Sequence, residues 1–157
     1  MKLYLTAALL VAAATLGGCQ PNAAAPVVGN AAFAGLAGTS WRFVEFQSMD
    51  DAQGTSRPKD PSRYTLRFEP DGRLAAQLDC NRGVGSWKNE ISNATGGSLA
   101  IGPLATTKML CPSPSMGELV STQLNYVRSF TIRDGKLFMS LMADGGTIVW
   151  ERNDAAN

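Results

Sequence analysis

Beyond residue 39, apolar side chains recur mostly at every second position, the period of strands with one buried face. Trp41, Phe43, Val44 and Phe46 open the series with a strand that reads as largely apolar on both faces. Residues 47–63 are polar and carry Pro58 and Pro61, so they predict a long loop. Tyr64, Leu66 and Phe68 then alternate with Thr65, Arg67 and Glu69, and Leu74, Ala76, Leu78 and Cys80 lie opposite Arg73, Gln77 and Asp79. Pro70-Asp71-Gly72 between the two runs has turn chemistry, which predicts a hairpin with Cys80 on its inner face. Val84–Lys88 and Leu99–Leu104 read as two more strands, separated by a loop containing Asn93 and Gly96-Gly97.

The period changes once. Met116, Leu119, Val120, Leu124 and Val127 share one face of a helix. Ser115 and Glu118 have capping-box spacing, and Pro112 and Pro114 lie just before them. Phe130–Ile132, Leu137–Leu141 and Ile148–Trp150 form a final meander around Asp134-Gly135 and Asp144-Gly145-Gly146. About eight short strands and one helix predict a mainly β domain of the α+β class. The expected architecture is a closed or nearly closed antiparallel barrel, its helix covering an opening or an edge.

The first 38 residues follow another pattern. Lys2 precedes an apolar run, Leu3 to Leu16, which ends in Leu16-Gly17-Gly18-Cys19. That is the layout of a secretory signal, and the run is shorter than the roughly 20 apolar residues of a membrane span. Leu-Gly-Gly-Cys resembles the lipobox of bacterial lipoprotein signal peptides, which implies cleavage before Cys19 and lipid on its sulfur. Several acyl chains, at about 0.8 kcal/mol per buried CH₂, give a stable anchor. Gln20, where Asp would favour retention in the inner membrane, points to the outer membrane on its periplasmic face. The expected organisation is a signal peptide at 1–18, a lipidated cysteine and Ala/Pro-rich tether at 19–38, and one domain at 39–153.

Charge narrows the partners. Without Lys2, 13 cations balance 13 acids, so nothing favours nucleic acid. The chain has no histidine, which excludes Ser-His-Asp and Cys-His catalysis. With Cys19 assigned to lipid, Cys80 and Cys111 read as one disulfide in an oxidising compartment, against two buried free thiols or half of a metal site. Two cysteines without histidine do not complete a zinc tetrahedron, so no metal and no cofactor beyond the lipid is expected.

Asp79-Cys80-Asn81-Arg82, with Gly85 and Trp87 beyond, resembles the Cys-Asn-Arg segment of the META domain family. The stretch from Leu99 to Pro112, with Thr106-Thr107-Lys108-Met109-Leu110-Cys111 at its end, is similar to the family's second signature. Gly83 departs from the pattern, which has an aromatic there. The resemblance implies a small lipocalin-like barrel in an HslJ-like envelope lipoprotein. It further implies a role in stress or novobiocin-type tolerance, with no defining enzymatic activity.

The candidate recognition surface is Asn81, Arg82, Thr107 and Lys108, drawn together by a Cys80–Cys111 link. The competing reading is structural, with Arg82 paired to a carboxylate such as Asp79 and Asn81 bonded to backbone. Asp79, Glu90 and Glu118 are the acids for any acid–base pair, and their spacing does not force them together. Gly83-Val84-Gly85 lacks the remaining parts of a phosphate loop. Trp41, Phe43, Phe68, Trp87 and Trp150 are numerous enough to fill a small barrel, although such a barrel can also hold an apolar ligand. The expectation is therefore a monomeric, non-enzymatic lipoprotein that meets another envelope component. A small-ligand carrier and an inhibitor of a cell-wall-lytic enzyme are the alternatives.

Overall fold

The computed structural model describes residues 35–90 and 92–154. The leader, Cys19 and most of the expected tether lie outside the described residues. Twelve strands and one helix follow in order: β1 (Thr39–Gln47), β2 (Thr55–Ser56), β3 (Tyr64–Phe68), β4 (Arg73–Leu78), β5 (Asn81–Lys88), β6 (Ser92–Asn93), β7 (Gly96–Ser98), β8 (Ala100–Ile101), β9 (Ala105–Thr106), α1 (Gly117–Leu124), β10 (Val127–Arg133), β11 (Lys136–Leu141) and β12 (Thr147–Arg152). All strand pairs are antiparallel, in the order β6-β7-β10-β11-β12-β1-β3-β4-β5-β8. β7 and β8 are two halves of one bent segment. The first pairs with β10, Leu99 N–H donates to Arg128 C=O at 2.9 Å, and the second pairs with β5. The sheet therefore curls until it meets itself, which removes its long open edges.

Two bulges account for the places where simple alternation misreads the chain. The β1–β12 register shifts between Phe43 and Glu45, so Trp41, Phe43 and Phe46 are all buried while Val44 is only partly so. A strand that looks apolar on both faces thus serves one interior. A second shift, between Val127 and Ser129 of β10, buries both Val127 and Phe130. That spacing of three imitates a helix. Val127 is accordingly the first residue of β10, and the helix stops at Leu124.

Other boundaries move for local reasons. β5 starts at Asn81, three residues before Val84, because a two-residue turn joins it directly to β4 with Leu78 opposite Asn81. Asp79 takes φ +64° in that turn. Strand parity ends there, so Cys80 is half-buried beside the turn and is not an inner-face residue. The strand expected over Leu99–Leu104 ends at Ile101, and Gly96-Gly97 belongs to β7. The capping box does not form: Ser115 Oγ accepts from Gly117 N–H at 3.3 Å, and Met116, the residue before the helix, provides no side-chain cap.

The registers define two poles. Thr39, Phe68, Leu74 and Gly85 lie side by side near one end, the base. Gln47, Tyr64, Leu78, Asn81, Leu141 and Thr147 lie toward the other, the crown. α1 covers the crown with Val120 and Leu124 fully buried, and Met116 N–H donates to Tyr64 Oη at 3.0 Å. Gly117 is required for that approach, since a Cβ there would lie 2.7 Å from the Leu78 carbonyl oxygen. Leu36 closes the base with no exposed surface, where Gly38 N–H donates to Phe68 C=O at 2.7 Å. Between the poles, Trp41, Trp150, Phe43, Phe68 and Phe130 fill the interior, with Phe43 and Trp150 rings 5.3 Å apart.

Candidate functional site

The β4–β5 turn and the segment after β9 are fastened to each other at the crown. Cys80 and Cys111 form the disulfide, with Cα atoms 5.5 Å apart. Asn81 lies next to it and spends its whole side-chain amide on one loop. Its Oδ1 accepts from Thr107 Oγ1 at 2.8 Å and from Met109 N–H at 2.7 Å. Its Nδ2 donates to Met109 C=O at 2.9 Å and approaches Cys111 Sγ at 3.3 Å. Backbone continues the strip, with Thr107 N–H donating to Arg82 C=O at 2.9 Å and Arg82 N–H to Thr107 Oγ1 at 3.0 Å. Residues 107–111 are therefore an irregular segment held at both ends and in the middle.

The four candidate residues do come together, in two different roles. Asn81 and Thr107 face the loop backbone and each other. Arg82 and Lys108 have exposed side chains, and neither takes part in an ion pair among the described residues. The expected pairing of Arg82 with Asp79 does not occur. Asp79 is buried and pairs with Arg63, whose carbonyl also accepts from Asp79 N–H at 2.8 Å. Asp79 sits in the turn with φ +64°, and its carboxylate meets the Arg63 guanidinium.

Sequence reasoning missed two exposed apolar residues of this loop. Leu110 is 99% exposed and Met109 is 64% exposed. A signal was present in two consecutive apolar residues with no strand or helix period, directly before Cys111. A surface cleft of about 390 Å³ lies beside them, with Lys108 and Leu110 on one side and Glu118 and Ser121 of α1 on the other. Other surface clefts occur near Tyr126 and Met142 and near Lys59 and Pro112, about 430 and 330 Å³.

The acids do not converge. Asp79 is paired at the crown, Glu90 pairs with Lys88 at 3.2 Å past the end of β5, and Glu118 is exposed in the first turn of α1. Among the described residues no group of His, Cys, Asp and Glu is placed to hold a metal ion, and no helix is long and apolar enough to cross a membrane. Gly83 has a packing explanation. A Cβ there would meet Leu104 Cδ2 at 3.0 Å and Thr106 Cγ2 at 3.2 Å, so Leu104 and Thr106 take the space beside it.

With this geometry in place, a family model described as META domain matches residues 34–155. A protein from Burkholderia xenovorans solved by NMR superposes with a TM-score of 0.59 at 19% identity, over 76% of this chain and 84% of that one. A DUF4847 family protein from Bacteroides vulgatus, solved by crystallography, gives 0.50 at 18% identity, over 75% and 94%. At these identities the two structures speak for the fold alone. Among curated proteins, none matches the sequence.

Proposed function

This chain belongs to the META domain family, and on that premise we propose a non-enzymatic envelope lipoprotein that presents the 107–111 loop to another envelope component. In this reading lipid on Cys19 holds it at the periplasmic face of the outer membrane, and it serves in envelope stress or antibiotic tolerance. The observation that carries the reading is Leu110, fully in solvent on a segment that a disulfide and Asn81 hold still. Apolar side chains on mobile loops are unremarkable. One fixed in place and left exposed suits recognition, because little ordering entropy remains to be lost on contact.

Two alternatives separate on the same observations. A carrier of small apolar molecules needs an interior cavity, whereas here the largest aromatics occupy the barrel. An inhibitor of a cell-wall-lytic enzyme needs a protruding stiff loop, and loop 107–111 with Lys108 suits it. The test places a photo-reactive residue at Leu110 or, as a control at the base, at Lys136 in the full-length protein in cells. Adducts from position 110 and none from 136 are expected. Equal labelling from both, or none from 110, defeats the reading. Mass spectrometry of the mature amino terminus checks the anchor, and an unmodified Cys19 removes that part.

A further inference from the structure

The exposed apolar side chains are not spread evenly. Among the described residues, Met49, Met109, Leu110, Tyr126 and Met142 are large, apolar and exposed at the crown. Met49 follows the crown end of β1, Tyr126 follows α1, and Met142 follows the crown end of β11, where its N–H donates to Tyr126 C=O at 2.8 Å. Val84, the remaining one, lies on the outer face of β5, paired with Ala105. None is at the base, where the chain joins the barrel through Leu36 and Gly38. β1 is nine residues long, so about 30 Å of strand separates that junction from the crown.

Resting on the presentation reading above, we infer that the crown loop docks a protein carrying an apolar pocket with an acidic rim. The pocket takes Leu110 and its carboxylates meet Lys108 and Arg82. Lys108 belongs to the loop and Arg82 is fastened through its backbone to Thr107 at the loop's start; both side chains are exposed and outside any ion pair among the described residues. An apolar knob flanked by two unneutralised cations is complementary to an apolar hole flanked by acids. The adjoining cleft, with Glu118 on its far wall, offers room for a side chain of the partner. An anionic lipid surface would meet the same cations, but it would also set its charge against Glu118 across the cleft, whereas a protein rim can place its acids against the cations alone.

The experiment uses the full-length lipoprotein in cells with p-benzoylphenylalanine in place of Leu110. The expected adduct is to a protein, through a peptide with Asp or Glu among apolar residues. Lys108→Glu and Arg82→Glu should each lower its yield about tenfold, because like charges are then set against each other. Changing the partner's acid to Lys should restore the Lys108→Glu yield. Thermal melts of both variants should match the parent, since the two side chains are exposed. Adducts to lipid only, strong binding of the purified protein to phosphatidylethanolamine–phosphatidylglycerol vesicles, adducts to a second copy of this chain, or yields indifferent to both reversals overturn the inference. Those outcomes differ from a loop that labels nothing, which defeats the presentation reading itself.

Discussion

At the base, the incoming chain tucks Leu36 into the barrel and leaves no large apolar side chain at the surface among the described residues. At the crown, α1 buries Val120 and Leu124, yet Met109 and Leu110 stand in solvent a few residues away. Both ends face the same problem, an open barrel whose core must be kept from water. The base solves it with one side chain and simple turns. The crown uses a helix, a disulfide and an amide with four contacts, then exposes apolar surface beside them. Covering the core does not explain that investment, because the loop 107–111 contributes no fully buried side chain. The difference leaves an exposed apolar surface at the crown that covering the core does not account for.

The comparison can be tested from its strongest feature downward. Reducing the Cys80–Cys111 bond, or replacing both residues with Ser, should cost roughly 3–4 kcal/mol for a loop of this size. Denaturant unfolding with and without reductant measures it, and an unchanged midpoint would remove the disulfide from the account of crown rigidity. Leu36→Ala and Leu110→Ala then set one leucine against another. The base variant should lose about 2–5 kcal/mol through its cavity, and the crown variant should stay within about 0.5 kcal/mol. Similar losses for both would mean that Leu110 is packed in solution and the poles are not different in kind.

Acid provides the smallest effect and bears on both poles. At the base, the Arg73 side chain donates to the Asp71 carboxylate at 2.7 Å and holds its pKa below the ordinary 3.8. At the crown, the Ser62 hydroxyl does the same for Asp60, with a hydrogen bond of 2.6 Å. A depressed folded-state pKa contributes stability present above 3.8 and lost as pH falls through the lower folded value. Both carboxylates are exposed, so the loss should be slight and alike at the two ends. Chemical shifts of the two side chains followed from pH 6 to about pH 2 check it; a normal titration at either site would contradict the bonded geometry.

The neighbourhood of the four candidate residues and the cysteine pairing were legible beforehand. Asn81, Arg82, Thr107 and Lys108 are adjacent as expected, and the cysteines are joined. The division of labour among them was not. Whether an asparagine faces a backbone or a partner depends on which atoms arrive opposite it, and the 107–111 segment arrives from 26 to 30 residues away. Arg82 lacks its supposed partner because that carboxylate pairs with Arg63, which the fold brings to it from β3's N-terminal side.

The sequence by itself determined the class of fold, since hydrophobic period is a local property that survives in any strand or helix. It determined the two hairpins flanking Asp71-Gly72 and Asp134-Gly135, where turn residues sit between alternating runs. The motifs around Cys80 and Cys111 likewise marked where the chain is fastened. Tertiary structure decided the rest: the bulges that turn Val44 and Val127 out of simple alternation, the bent segment that closes the sheet, and Leu36 as the plug of the base. It alone revealed that Leu110 is exposed. Burial depends on what packs against a residue from elsewhere in the chain, and none of the described residues packs against Leu110 where the disulfide holds it.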